Sequence, residues 1–330
     1  MKAYTYQDNA FSFEGNVSVE QEKEWVAPWR INYQQFEFYP FLTDERAKQC
    51  SGIRLSFTTN SENIILQLAE VEEGMMLDLF VDDVLIQEIT LDKSSNQAIF
   101  KQLSPGLKRI DIWLDQRFSF KLKQVLIDEK ARICKTKVNK KSWIHYGSSI
   151  SHSIQGRRPS KIWTSLVAQK LNLHLTNFGF GGGCVCEPMI GRMIRDLPAD
   201  YITLKLGINL YTGSLTQRTF GPNIIGLIQI IREKHPNTPL AIISPIYSPP
   251  REKVKGGSGL SLEDMRNILS DIVASCKKYE DNNIYYIDGL EIFGPEEMEY
   301  LPDELHPDAE GQFVLADHFI KEVFWKFPGV

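Results

Sequence analysis

Apolar and polar residues alternate with a period of two through most of the first 128 residues. Ile53, Leu55 and Phe57 alternate with Arg54 and Ser56, and Ile64, Leu66 and Leu68 keep the same period. Leu77, Leu79 and Val81 lead into Asp82-Asp83, a turn, and an apolar return over 84–86; residues 109–114 and 118–122 continue the pattern. A period of two sends successive side chains to opposite faces of a strand, so these segments read as short, half-buried strands. Many such strands with no convincing helix among them predict a β-sandwich over residues 1–130.

The period changes after residue 141. Trp143, Ile144 and Tyr146 form a short buried strand that stops at Gly147, and Ile162, Leu166, Val167 and Leu171 recur at helical spacing from about Ser160. The alternation then repeats. Strands are expected at 174–178, 201–206, 240–244 and 283–287, with helices around 189–194, 224–232, 260–278 and 309–324. Strands alternating with helices specify a parallel sheet covered on both faces, and strands buried on both sides read as continuous apolar runs. The expected fold is therefore α/β, a parallel five-stranded sheet flanked by helices over 142–330, preceded by the sandwich and joined to it by a linker at 131–141.

That linker carries Arg132, Lys135, Lys137, Lys140 and Lys141. It is read as a solvated connection rather than a nucleic-acid patch, because a formal net charge of −5 gives no general attraction to a polyanion. No apolar run approaches the roughly 20 residues of a membrane span, and residues 1–15 lack an apolar signal core, so a cytoplasmic location is expected. Cys50, Cys134, Cys184, Cys186 and Cys276 are scattered and odd in number, which fits a reducing compartment and no disulfide framework. Cys184 and Cys186 have no second pair to complete a zinc site, so neither metal nor cofactor is expected. The aromatic cluster Trp25, Trp29, Tyr33, Phe36, Phe38, Tyr39 and Phe41 is expected to fill a core or the seam between the halves rather than to form a sugar platform.

In a parallel sheet every strand-to-helix loop lies at one edge, where ligands bind. Ser149 follows the first strand, Gly182 the second, Asn209 the third, and His306 the segment after the fifth. Singly, each has a plainer reading: a Ser-rich turn, a tight glycine turn, a helix cap, a surface histidine. Together they make four coincidences in order on one edge. They supply a nucleophile, a base and fixed donors, the inventory for acyl transfer. A serine hydroxyl attacks well only when a base takes its proton. Asp303, three residues before His306, is near enough to orient the imidazole. The Gly182 and Ser149 N–H groups and the Asn209 amide suit an oxyanion hole.

The blocks Gly147-Ser148-Ser149-Ile150-Ser151, the glycine turn 179–183, Gly207-Ile208-Asn209 and Asp303-Glu304-Leu305-His306-Pro307 resemble the four sequence blocks of the SGNH (GDSL-type) hydrolases, in the subgroup with an N-terminal β-sandwich. The resemblance implies a serine esterase that needs no metal, with Ser149, Asp303 and His306 catalytic and Ser149, Gly182 and Asn209 as oxyanion donors. It implies hydrolysis of short acyl esters, acetyl above all, on a small-molecule or oligosaccharide substrate. An acyltransferase using the same serine, and a glycan-binding protein without catalysis, are the alternatives; a homo-oligomer is compatible with either. Two positions depart from the family pattern. Ser148 stands where Asp is usual, and Gly183 stands where a polar residue is commoner, which implies a looser loop.

Overall fold

The structure, a computed structural model, describes residues 1–42, 44–137 and 139–328. The N-terminal half is a sandwich of two six-stranded sheets, with every strand pair antiparallel. Its core is made by the inward residues of the period-two strands: Leu55 and Phe57 in Arg54–Thr59, Leu77 and Leu79 in Met75–Val81, and Ile110 and Ile112 in Lys108–Leu114 face Leu66, Val125 and Ile127.

The second half is a five-stranded parallel sheet: β1 (Ser142–Gly147), β2 (His174–Gly179), β3 (Tyr201–Lys205), β4 (Leu240–Ile243) and β5 (Ile284–Ile287). The spatial order is β2-β1-β3-β4-β5. Helices α1 (Ser149–His152), α2 (Trp163–Lys170), α3 (Pro188–Asp196), α4 (Gln217–Arg232), α5 (Leu262–Lys278), α6 (Gly289–Ile292) and α7 (Gly311–Glu322) connect and cover it. Alternate strand residues feed two cores. Tyr146, Leu204 and Ile242 point into the layer under α3, α4 and α5, while Trp143, Ala241 and Ile243 point toward Trp163 and Phe319 on the other face. In this strand order the connections diverge between β1 and β3, the switch point at which such sheets bind ligands.

Three expectations change. The chain turns into a helix at once after β1, not at about Ser160; α1 is a single turn, too short to show a helical period. Within the predicted all-β half there is a short helix, Asp44–Lys48. The predicted linker begins as a strand, Ile133–Cys134, which pairs with Arg54–Thr59.

The aromatic cluster divides. Trp29 and Tyr39 are buried in the same core as Tyr146 and Phe180 of the α/β half, with Tyr33 and Phe36 packed against it, so they form the seam between the halves. Phe38 and Phe41 are 59% and 57% exposed and fill no core. Polar contacts reinforce the seam. Buried Asp78 accepts from Arg158 Nε at 2.6 Å and from the Ser160 hydroxyl at 2.6 Å. Arg30, fully buried, donates to the Asn177 and Gly179 carbonyls at the end of β2 and to the Arg46 carbonyl, with its guanidinium 4.6 Å from the centre of the Phe180 ring.

Candidate active site

The first turn after β1 is built by Ser148. Its backbone is extended, and its Oγ accepts from the Ile150 N–H at 3.3 Å, making it the N-cap of α1. Serine and aspartate are both strong N-caps, which is a physical reason why serine serves where the family usually has Asp. Ser148 is fully buried, whereas Ser149 is half-buried. As the first residue inside α1, Ser149 has a backbone N–H without an intrahelical acceptor.

Ser149 Oγ lies 2.8 Å from His306 Nε2, and His306 Nδ1 lies 2.6 Å from Asp303 Oδ2. Asp303 Oδ1 also accepts the backbone N–H groups of His306 at 2.7 Å and Leu305 at 3.1 Å, an Asx turn that fixes carboxylate and imidazole together. A carboxylate can only accept, so the Nδ1 proton is held by Asp303 and the Nε2 lone pair faces the serine. Partial burial pushes the Asp303 carboxyl up, but the hydrogen bonds from the His306 side chain and backbone outweigh it and hold it below its ordinary range. Glu304, between them, takes a left-handed φ of 59°, and its carbonyl accepts from the Ser248 hydroxyl at 2.7 Å, pinning the loop.

The other two histidines near Ser149 are not rival bases. His145 is fully buried, between the hydroxyls of Ser151 at 2.7 Å and Thr203 at 2.8 Å. Burial, then the charge of Lys205, push its pKa well below the ordinary value. His152 accepts the Gly181 N–H at Nδ1 (3.3 Å), so its proton sits on Nε2 and is donated to the Gln116 carbonyl at 2.9 Å. One neutral imidazole thereby joins the sandwich, α1 and the glycine turn.

That turn has little freedom. Gly181 N–H is bound to His152, Gly183 N–H to the Phe180 carbonyl at 3.0 Å, and Cys184 N–H to Asn209 Oδ1 at 3.1 Å. The Gly182 N–H between them has no acceptor among the described residues. Because a backbone N–H must meet an oxygen, the Cys184 contact also sets the Asn209 amide, leaving Nδ2 as its free donor. A Cβ on Gly183 would lie 2.6 Å from Leu42 Cδ2, so glycine at this departure from the family pattern lets the sandwich pack against the turn. The loop is braced, not looser as expected. Close approach also explains Gly179: a Cβ there would lie 2.4 Å from the Ser151 carbonyl carbon and the His152 nitrogen in α1.

All five predicted site residues thus stand at the carboxyl edge of the sheet. Ser149, His306 and Asp303 are in direct contact, and Asn209 is bonded to the Cys184 N–H, two residues after Gly182. Sequence reasoning missed the supports. Asn177, buried in β2, donates to Ser51 Oγ at 2.9 Å and to the Ser151 carbonyl at 3.0 Å, tying α1 to both halves. In a strand that also holds His174 and Thr176, an asparagine was no distinct sequence signal. Arg46 left none either; its guanidinium lies 3.5 Å from where a Gly181 side chain would start. Among the described residues, no group of three or more His, Cys, Asp or Glu is placed to share a metal ion, and no helix is long and apolar enough to cross a membrane. A cavity of about 470 Å³ between α4 and α5, lined by Ile225, Ile272 and Tyr279, includes none of the site residues.

Residues 140–323 match the GDSL-like Lipase/Acylhydrolase family, and residues 11–123 match the N-terminal domain of SsfX3. No curated protein matches the sequence significantly. Among solved structures, the salicylyl-acyltransferase SsfX3 from a tetracycline biosynthetic pathway is 30% identical, with a TM-score of 0.90 over 98% of this chain and 97% of that one. A family two carbohydrate esterase from Cellvibrio japonicus (12% identity, TM-score 0.66, 98% of each chain) shares the fold. So does the acetyl xylan esterase Est2A from Butyrivibrio proteoclasticus (12%, 0.63, 98% of this chain and 100% of that one). With residues 140–323 matching that family on a five-stranded parallel sheet and a sandwich packed before it, the chain belongs to the GDSL-like lipase/acylhydrolase family.

Proposed function

We propose that the protein is a serine esterase that cleaves short acyl esters, acetyl above all, on carbohydrate hydroxyls through an acyl-enzyme on Ser149. The observation that carries this reading is the continuous chain from Ser149 Oγ through His306 to Asp303. Ser149 Oγ attacks the ester carbonyl while His306 Nε2 takes its proton, and Asp303 stabilises the imidazolium. The tetrahedral oxyanion is met by the Ser149 and Gly182 N–H groups and Asn209 Nδ2, each such donor lowering the barrier by ~3 kcal/mol. His306 then returns the proton to the leaving alcohol, and water repeats the cycle on the acyl-enzyme. The acyl and sugar preference rests on the fold shared with carbohydrate esterases.

Transfer of the acyl group to a second alcohol is the other reading, favoured by the similarity to an acyltransferase over nearly the whole chain. A panel of short to long acyl esters on aryl and sugar leaving groups, with and without added alcohols, separates the two: hydrolysis at full rate in water supports the esterase. The free cysteines, four of the five buried, fit a reducing, cytoplasmic setting.

The pH profile gives a separate test. Only neutral imidazole accepts the serine proton, so log kcat/KM is expected to fall with a slope of one as acid protonates the base. Asp303, held below the ordinary carboxylate range, keeps its charge through that fall. Turnover should survive chelators. A slope of two, or loss on chelation restored by zinc or manganese, would contradict this reading.

A further inference from the structure

At the edge of the sheet opposite Ser149, the seam between the halves encloses a polar cavity of about 200 Å³. Lys140, just before β1, and Asn172, just before β2, line it from one side, and Arg54, Ser56 and Asp111 on the outer face of the sandwich line it from the other. Arg54 is 5% exposed. Its guanidinium lies 4.9 Å from the centre of the Trp113 ring, its buried Nε–H has no acceptor, and its charge reaches Glu14 only at a distance, without an ion-pair contact among the described residues. Ser56 Oγ, two residues along the same strand face, is also buried without a partner.

The nearby carboxylates are already engaged. Arg109 Nε donates to Asp111 at 2.8 Å, and Asp83 pairs with Arg109 and, at 3.2 Å, with Lys140. Glu14, opposite Arg54 in the strand register, accepts from the Ser12 hydroxyl at 2.6 Å and lies 2.9 Å from His174 Nε2. Four basic side chains therefore line the cavity against two acids. Lys140 feels the excess: burial, then the charge of Arg54, lower its pKa. An unpaired guanidinium is costly to bury, and its planar fork fits the oxygens of phosphate.

We propose that this seam cavity binds a phosphate group, held by Arg54, Lys140 and Ser56, and that the bound anion ties the sandwich to the α/β half. The source is either inorganic phosphate or the phosphate of a monoester. It is not the ester substrate, since the catalytic serine lies at the other end of β1.

The test is thermal melting of the full chain in sodium phosphate against sodium chloride of equal ionic strength, for wild type, Arg54→Gln and Lys140→Gln. At a hundredfold excess over Kd, phosphate should raise the wild-type melting temperature by about 5 °C. Both variants should lose that increment. Phosphate also stabilises proteins generally by exclusion from their surface, so the difference between wild type and variant reads the site. Lys140→Gln, in the segment just before β1, keeps the comparison available if Arg54→Gln fails to fold, and its ester turnover should equal wild type. Glycerol 3-phosphate acting as well as phosphate assigns the site to a monoester; phosphate acting alone assigns it to the free ion. Equal melting temperatures in phosphate and chloride, or an equal increment in wild type and Lys140→Gln, would overturn the proposal.

Discussion

Ser149→Ala is expected to lower ester turnover by about 10⁶-fold while leaving the fold intact, because nucleophile, base and orienting carboxylate act as one unit. Ser148→Ala should behave differently. It removes the N-cap of α1, at a cost of roughly 1 kcal/mol in stability, and retains far more activity, since the Ser148 hydroxyl is turned inward to Ile150 N–H. Ser151→Ala, which breaks a contact with buried His145, should likewise remain active. Purified variants assayed on one aryl ester, with melting curves for each, separate these outcomes. An active Ser149→Ala beside a dead Ser148→Ala would move the nucleophile by one residue.

Removal of residues 1–130 is expected to leave a remainder that aggregates or turns over ester poorly. Trp29, Ile31, Tyr39 and Leu42 of the sandwich half share one core with Tyr146, Phe178 and Phe180. At about 1.5–3 kcal/mol for each buried apolar side chain, losing four such contacts costs on the order of 6–12 kcal/mol, comparable with the stability of a whole domain. The site loses supports at the same time. His152 gives up its Gln116 acceptor, the Gly183 turn its Leu42 brace, and the end of β2 its Arg30 donors. Size-exclusion chromatography and kcat/KM of the fragment decide the matter. A monomeric fragment with wild-type kcat/KM would make the sandwich an independent module and restore glycan binding as a role for exposed Phe38 and Phe41.

The parts of this architecture legible in the chain were those with a local signal. The five parallel strands announced themselves as apolar runs, and the sandwich strands by alternation, because both patterns follow directly from which faces are buried. Ser149, Gly182, Asn209, Asp303 and His306 were legible only as a set: each alone has an ordinary place in a turn or cap, but their order along the chain puts them after successive strands at one edge of the sheet. Helix α1 was not, since four residues fall short of any helical period; only Ser148, as a cap, marked it. Arg30, His152 and Asn177 were illegible for another reason. Their partners lie across the seam, as Arg30 with Gly179 and Asn177 with Ser51, and nothing in the local sequence encodes a contact formed only when two sheets dock. The same holds for Gly183, whose lack of a side chain has its reason in Leu42, 141 residues away.

A serine esterase of this geometry carries its acyl group covalently on Ser149 during turnover. Rapid quenching of the enzyme during turnover of an aryl acetate, followed by mass spectrometry of its peptides, tests it directly. The prediction is an acetyl adduct on Ser149 that appears in the first turnover, decays when ester is exhausted and is absent from Ser149→Ala. An adduct on Ser148 or Ser151, or steady turnover by Ser149→Ala with no adduct at all, would contradict it.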